Sequence, residues 1–207
     1  MVSWGFAVEA GRRRVLIGLG AGLAAVSAGA ALGQETAASL IMPSIGPRQI
    51  TRDAALATAR RISLHNLHTG DVFAEAYYEN GAYVPQAMAQ AQRVLRDWRN
   101  GEEHLMDPRL FDVLHAVSAD LETGEAFQII SGYRSPRTNA AMHARSDGVA
   151  SNSQHMYGKA VDVRIQGVEL TRLHKAALAQ KAGGVGLYPV SNWVHIDTAR
   201  VRTWTGV

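Results

Sequence analysis

The chain of 207 residues contains no cysteine. That excludes a disulfide framework, a thiolate metal site and a cysteine nucleophile. An excess of one charge is also lacking. Lys and Arg number 21 against 18 Asp and Glu, a formal net charge of +3. Residues 1–33 carry Arg12, Arg13 and Arg14 against a single acid, Glu9, so without them 18 basic groups face 17 acidic ones. A near-neutral domain of that kind lacks the clustered basic surface that a nucleic-acid partner requires. No internal repeat is present. What is present is 47% hydrophobic and 19% charged residues, the balance of a folded globular protein, in a chain long enough for one good-sized domain and a tail.

The tail reads as an address. In residues 11–33, GRRRVLIGLGAGLAAVSAGAALG, a cationic cluster precedes an apolar run and then small residues at cleavage-site spacing. This is the layout of a secretory signal, and the paired arginines followed by x-V-L resemble a twin-arginine export signal. The competing reading is an uncleaved anchor, because Val15 to Leu32 approaches spanning length, but its Gly and Ala content makes it weakly apolar. The expected organisation is a signal peptide over 1–33, a linker over 34–50 and one domain over 51–207. The expected location is the periplasm, with no stable membrane span after cleavage.

Within the domain, RISLHNLH (61–68), Thr69-Gly70-Asp71 and VFAEAYYENG predict a β-hairpin. The spacing of Met88, Ala91, Leu95 and Trp98 predicts a helix over 84–99. Asp107-Pro108 marks the start of a second helix with Leu110, Phe111, Leu114, Val117 and Leu121 on its apolar face. Strands are expected at 126–130, near 160–165, in GGVGLY and in NWVHID, with helices at 136–145 and 169–181. The irregular alternation favours an α+β domain built on an antiparallel sheet.

Eight histidines are available as ligands. His65 and His68 are three apart on one strand and point to opposite faces. His104, His115, His143 and His174 have no carboxylate at ligand spacing. His155 differs: in SQHMYGKAVD it enters a strand that carries Asp162, and Gly158 lets the backbone turn between them. In WVHID, His195 and Asp197 share one strand face. A His/Asp/His set on adjacent strands leaves one position of a tetrahedral zinc open to solvent, as catalytic sites do.

Ser153, His155, Gly158, Ala160 and Asp162 fill S-x-H-x-x-G-x-A-x-D, which resembles the signature of the zinc D-Ala-D-Ala peptidases within the LAS metallopeptidases. Ser131 to Ser135, SGYRS, resembles that family's arginine-bearing motif, and GGVGLYP with VHID resembles its last ligand segment. With the hairpin SLHNLHTG, the set resembles the murein endopeptidase K branch over about residues 58–204. The resemblance implies a LAS or hedgehog-like fold with a small antiparallel sheet bearing the metal site, flanked by helices. It implies Zn2+ on His155, Asp162 and His195, with Arg134 approaching the scissile carbonyl or a substrate carboxylate. Ser153 either hydrogen-bonds substrate or fixes its loop. Other members place a Glu or His just before the last ligand as the base. Asn192 and Trp193 stand there, so Asp197 becomes the candidate base, with a role in orienting His195 as the alternative. The implied function is a monomeric zinc-dependent hydrolase of peptidoglycan peptides. The alternative is a non-catalytic, zinc-stabilised module that binds peptidoglycan or another envelope protein.

Overall fold

Alternation sets the first strand, β1 (Arg60–Asn66), whose Ile62, Leu64 and Asn66 are buried while their neighbours are more exposed. A computed structural model describes residues 59–206 apart from residue 147. The expected signal (1–33), the linker (34–50) and the first residues of the expected domain (51–58) lie outside the described residues. A turn closed by Gly70 at φ 74° leads into β2 (Val72–Glu79), and the two strands pair antiparallel as the hairpin pattern predicts. A short strand, β3 (Ala82–Tyr83), follows.

Helices α1 (Pro85–Val94), α2 (Pro108–Asp120) and α3 (Pro136–His143) each open on a proline, whose fixed φ suits the first turn and whose missing N–H is not needed there. Asp107 and Ser135 cap α2 and α3 by accepting from the backbone N–H of Arg109 and Thr138. Helix α1 stops at Val94 rather than running on to residue 99. There the backbone is drawn into tertiary bonds: the Leu95 carbonyl accepts from Tyr133 N–H at 2.7 Å, and Asp97 N–H donates to the Glu102 carbonyl at 2.9 Å. The remaining elements are β4 (Phe127–Ser131), a 3-10 turn (Gln154–Tyr157), β5 (Ala160–Ile165), α4 (Leu170–Ala179), β6 (Gly184–Tyr188), β7 (Trp193–Asp197) and β8 (Arg202–Thr205).

The fold is mixed α and β, but the sheet is neither small nor purely antiparallel. Eight strands run in the order β3-β2-β1-β4-β5-β7-β6-β8. β1 pairs parallel with β4, and β6 pairs parallel with β8. The first parallel pair arises because β2, β3, α1 and α2 intervene before the chain returns beside β1. The second arises because β8 passes over the β6–β7 hairpin to reach the free edge of β6. One face of the sheet and the helices share a core that includes Leu64, Phe111, Leu114, Ile129, Val163 and Val194, each at most 1% exposed. Burying such a side chain is worth about 1.5–3 kcal/mol.

The opposite face carries the residues of the candidate ligand motifs. Register places Ser131 beside Asp162, Asp162 beside His195, His195 beside Gly186, and Gly186 beside Trp204, one row across five strands. Among the described residues, no helix is long and apolar enough to cross a membrane.

Candidate metal centre

Asp162 and His195 meet because they are cross-strand partners of an antiparallel pair whose other face belongs to the core. The third member comes from outside the sheet. His155 sits on the 3-10 turn, which ends in Gly158 at φ 63°. A Cβ at Gly158 would collide with the Leu105 carbonyl, so no other residue fits there. The Gly158 carbonyl accepts from Asp107 N–H at 2.8 Å, which ties this turn to the start of α2.

The three ligand atoms converge. His195 Nδ1 lies 2.9 Å from Asp162 Oδ1, His155 Nε2 lies 3.2 Å from the same oxygen, and the two nitrogens are 3.3 Å apart. All three residues are buried. The outer nitrogens decide what these atoms present. His155 Nδ1 is 2.6 Å from the Gly132 carbonyl, which can only accept, so Nδ1 carries the proton and Nε2 offers a lone pair. His195 Nε2 donates to Asp197 Oδ2 at 3.0 Å, which turns Nδ1 toward the same point; burial pushes this imidazole down in pKa, but its bonds to Asp162 and Asp197 outweigh burial and raise it, so Nδ1 offers a lone pair there once its proton is displaced by a metal ion. Burial pushes the His155 imidazole down in pKa and keeps it neutral. Burial pushes the Asp162 carboxyl up, but its contacts with the two imidazoles outweigh burial and hold it well below its usual range.

Two imidazole nitrogens and a carboxylate oxygen face one another this closely only around a positive charge, a proton or a metal ion. Three donors about 2.0–2.1 Å from a shared tetrahedral ion would stand about 3.3 Å apart. The observed separations of 2.9, 3.2 and 3.3 Å fit that triangle. The donor set of two imidazoles and one carboxylate, with no thiolate, suits zinc. Among the described residues this is the one group of His, Asp and Glu side chains close enough to hold a metal ion. The other histidines go elsewhere: His68 stacks on Trp98, His104 on Tyr133, and His115 and His143 bond backbone carbonyls.

Arg134 follows β4 and lies beside the cluster, 6% exposed. Its Nη2 is 3.7 Å from Asp162 Oδ2 and 3.4 Å from Ser131 Oγ, and its Nη1 is 3.3 Å from Asn139 Oδ1. Its Nε has no partner among the described residues. A buried guanidinium held only by long contacts has donor capacity to spare. Ser153 is buried at the start of the 3-10 turn, where its side chain makes no capping bond.

Asp197 is brought to His195, but on the edge of the ring away from the cluster. Its oxygens accept from His195 Nε2, from Arg202 at 2.6 and 3.1 Å, and from the N–H groups of Gly184 and Ala199 at 2.9 Å each. Burial pushes this carboxyl up, yet those five donors hold it well below the ordinary carboxylate range. A carboxylate so engaged, with an imidazole between it and the cluster, has contacts that support the orienting role rather than proton transfer from water.

Sequence reasoning missed the groups behind Asp197. Gly184 and Gly186 leave gaps in β6 that Arg202 and Trp204 fill: a Cβ at Gly184 would strike the Arg202 guanidinium, and one at Gly186 would sit 2.5 Å from the Trp204 ring. Arg202 thereby reaches Asp197, and Trp204 packs 5.2 Å from the His195 ring and donates to Tyr188 Oη at 2.9 Å. Tyr188 stacks on Trp193 at 3.7 Å. The available signal was the matched alternation of Gly-x-Gly with Arg-x-Trp.

A family model described as "Peptidoglycan L,D-endopeptidase MepK" matches residues 54–204. The chain is 43% identical over 153 residues to the protein of Escherichia coli (strain K12) with that name, covering 73% of this chain and 84% of the relative. The same figures hold for the protein so named from Shigella flexneri. It is 37% identical over 165 residues to "Probable peptidoglycan L,D-endopeptidase MepK" of Haemophilus influenzae, covering 79% of this chain and 89% of that one. No solved structure matches the chain at a significant level.

Proposed function

The chain belongs to the family described as peptidoglycan L,D-endopeptidase MepK, and from that premise we propose that it is a zinc-dependent hydrolase of the amide bonds in peptidoglycan cross-links. The observation that carries the metal assignment is the convergence of His155 Nε2, Asp162 Oδ1 and His195 Nδ1 within 3.3 Å of one another. The relatives' name favours a bond between an L and a D centre over release of a terminal D-Ala.

A divalent cation held by His155, Asp162 and His195 would supply Lewis acidity toward the scissile carbonyl and toward water. The protein's part is positional. The Gly132 carbonyl and the Asp197 carboxylate fix the two imidazole tautomers, so both lone pairs face one point. Arg134 meets the negative charge that develops on the carbonyl oxygen, with N–H groups that no protein acceptor satisfies well. Ser153 fixes the loop that delivers His155 or bonds the substrate. The fold is of the LAS and hedgehog-like type. Residues 1–33 form a twin-arginine signal, 34–50 a linker and 51–207 a monomeric periplasmic domain.

The second reading is a zinc-stabilised binding module. It rests on Asp197 being turned away from the cluster while Asn192 and Trp193 stand where relatives of the wider group place a base. Mass spectrometry of cross-linked muropeptides incubated with the purified protein decides between them. The proposal expects new amine-bearing fragments whose release stops with a chelator and resumes with zinc. Intact muropeptides that nonetheless bind the protein would favour the module.

A further inference from the structure

A second guanidinium lies on a loop bonded to the segment that carries Arg134. Arg99 lies in the loop that follows α1, and Asp97 locks that loop. Asp97, fully buried, accepts from Ser135 N–H through Oδ2 at 3.0 Å and from Arg99 N–H through Oδ1 at 3.1 Å. Its carbonyl accepts from Gly101 N–H at 2.7 Å. Asn100 Nδ2 donates to Ser135 Oγ at 2.9 Å, and Tyr133 N–H donates to the Leu95 carbonyl at 2.7 Å. The loop is thus stapled at both ends to Tyr133–Ser135, the segment that carries Arg134.

Arg99 itself is exposed, and no carboxylate among the described residues forms an ion pair with it. Its guanidinium lies over the Trp98 ring, 4.2 Å from the centroid, and Trp98 is stacked in turn on His68 at 3.9 Å and 12°. The ring covers one side of the guanidinium and leaves N–H groups free to meet a carboxylate. The nearest acid of its own loop, Asp97, has both oxygens committed to backbone N–H groups. Arg99 is close enough to Arg134 and Asp162 to feel their charges. Its pKa is lowered by partial desolvation of a guanidinium that is otherwise exposed and by repulsion from Arg134, with Asp97 and Asp162 opposing. Arg99 and Arg134 repel each other, and an anionic group of a ligand placed beside both would relieve that repulsion.

We propose that Arg99 determines specificity by gripping a free carboxylate of the peptide substrate on the side of the metal centre lined by Arg134. The inference rests on the peptidase reading above and extends it. Arg134 faces the carbonyl that reacts, and Arg99 selects the acid group that flanks it.

The test uses the purified, zinc-loaded protein and two cross-linked stem peptides. They differ only in whether the carboxylate flanking the scissile bond is free or a primary amide. Equilibrium binding and cleavage are both measured. The intact protein is expected to bind the free acid about tenfold or more tightly than the amide, on the scale of a charge-assisted hydrogen bond. In Arg99→Gln the Kd and KM for the acid rise by about that factor, while kcat, metal content and every constant for the amide stay within about twofold. Arg99→Lys, which keeps the charge but not the fork, recovers part of the preference. Equal losses on acid and amide, or an undiminished preference in Arg99→Gln, overturn the proposal. Cleavage of neither peptide by the unaltered protein would count against the peptidase reading alone, because the ratio of binding constants still decides the role of Arg99.

Discussion

Each histidine of the centre is governed by what its outer nitrogen touches, so single outer contacts carry measurable consequences. Asp197→Asn leaves shape nearly intact but replaces an acceptor-only group by one that can also donate. We expect metal affinity to fall about ten- to a hundredfold, read by competition with a chromogenic chelator. Unchanged affinity with a collapsed rate would restore Asp197 as the base. Asp97 gives a pH prediction. Burial pushes its carboxyl up, but hydrogen bonds from Thr138, Ser135 and Arg99 outweigh that and lower it below its ordinary value. A lowered folded-state pKa gives stability that is fully present above the unfolded value, about 3.9, and lost as the pH falls through that value toward the folded one. Urea unfolding across that acid range should show a decline that Asp97→Asn flattens, and Asp97→Ala should cost about 2–3 kcal/mol at neutral pH. Asp162 and His195 were legible because alternation puts them on one face of neighbouring strands, and His155 through its motif. Arg99 and Asp97 were not legible, because their roles depend on a loop meeting the Ser135 turn across 38 residues.

Between residues and molecule stands strand β6, whose glycines act as sockets. Gly186→Ala would force a Cβ to 2.5–2.7 Å from the Trp204 indole. Overpacking of that kind costs about 1–3 kcal/mol, or about 2–4 °C in Tm for each kcal/mol in a domain of this size. A comparison variant, Gly124→Ala, meets nothing within 4 Å and should stay within about 0.5 kcal/mol. Thermal unfolding of the two variants side by side checks the socket; equal Tm values would refute it. Most elements were readable from period and capping: the β1–β2 hairpin, the proline-led helices, and the strands of the ligand motifs. β8 was not, because four residues of alternating exposure, Arg202–Thr205, carry too little pattern to be read alone. The early end of α1 was hidden for a related reason. Leu95 and Trp98 keep helical spacing although tertiary hydrogen bonds have taken the backbone.

For the whole molecule, the row of residues across five strands makes one face of one sheet the candidate working surface. Its extent was underestimated because parallel pairs join strands far apart in sequence: Leu64 lies beside Phe127, and Gly184 beside Arg202. Export is a prediction at this scale. Replacing both Arg12 and Arg13 by lysine should strand the protein in the cytoplasm, as fractionation would show, whereas export that persists would point to a general secretory signal. The central claim is that three buried donors hold a single divalent cation, and calorimetric titration of zinc into the chelator-stripped protein tests it most directly. The account expects one ion bound per chain, and that binding lost when His155, Asp162 or His195 is replaced by alanine. No stoichiometric binding, or binding that survives each replacement, would contradict it.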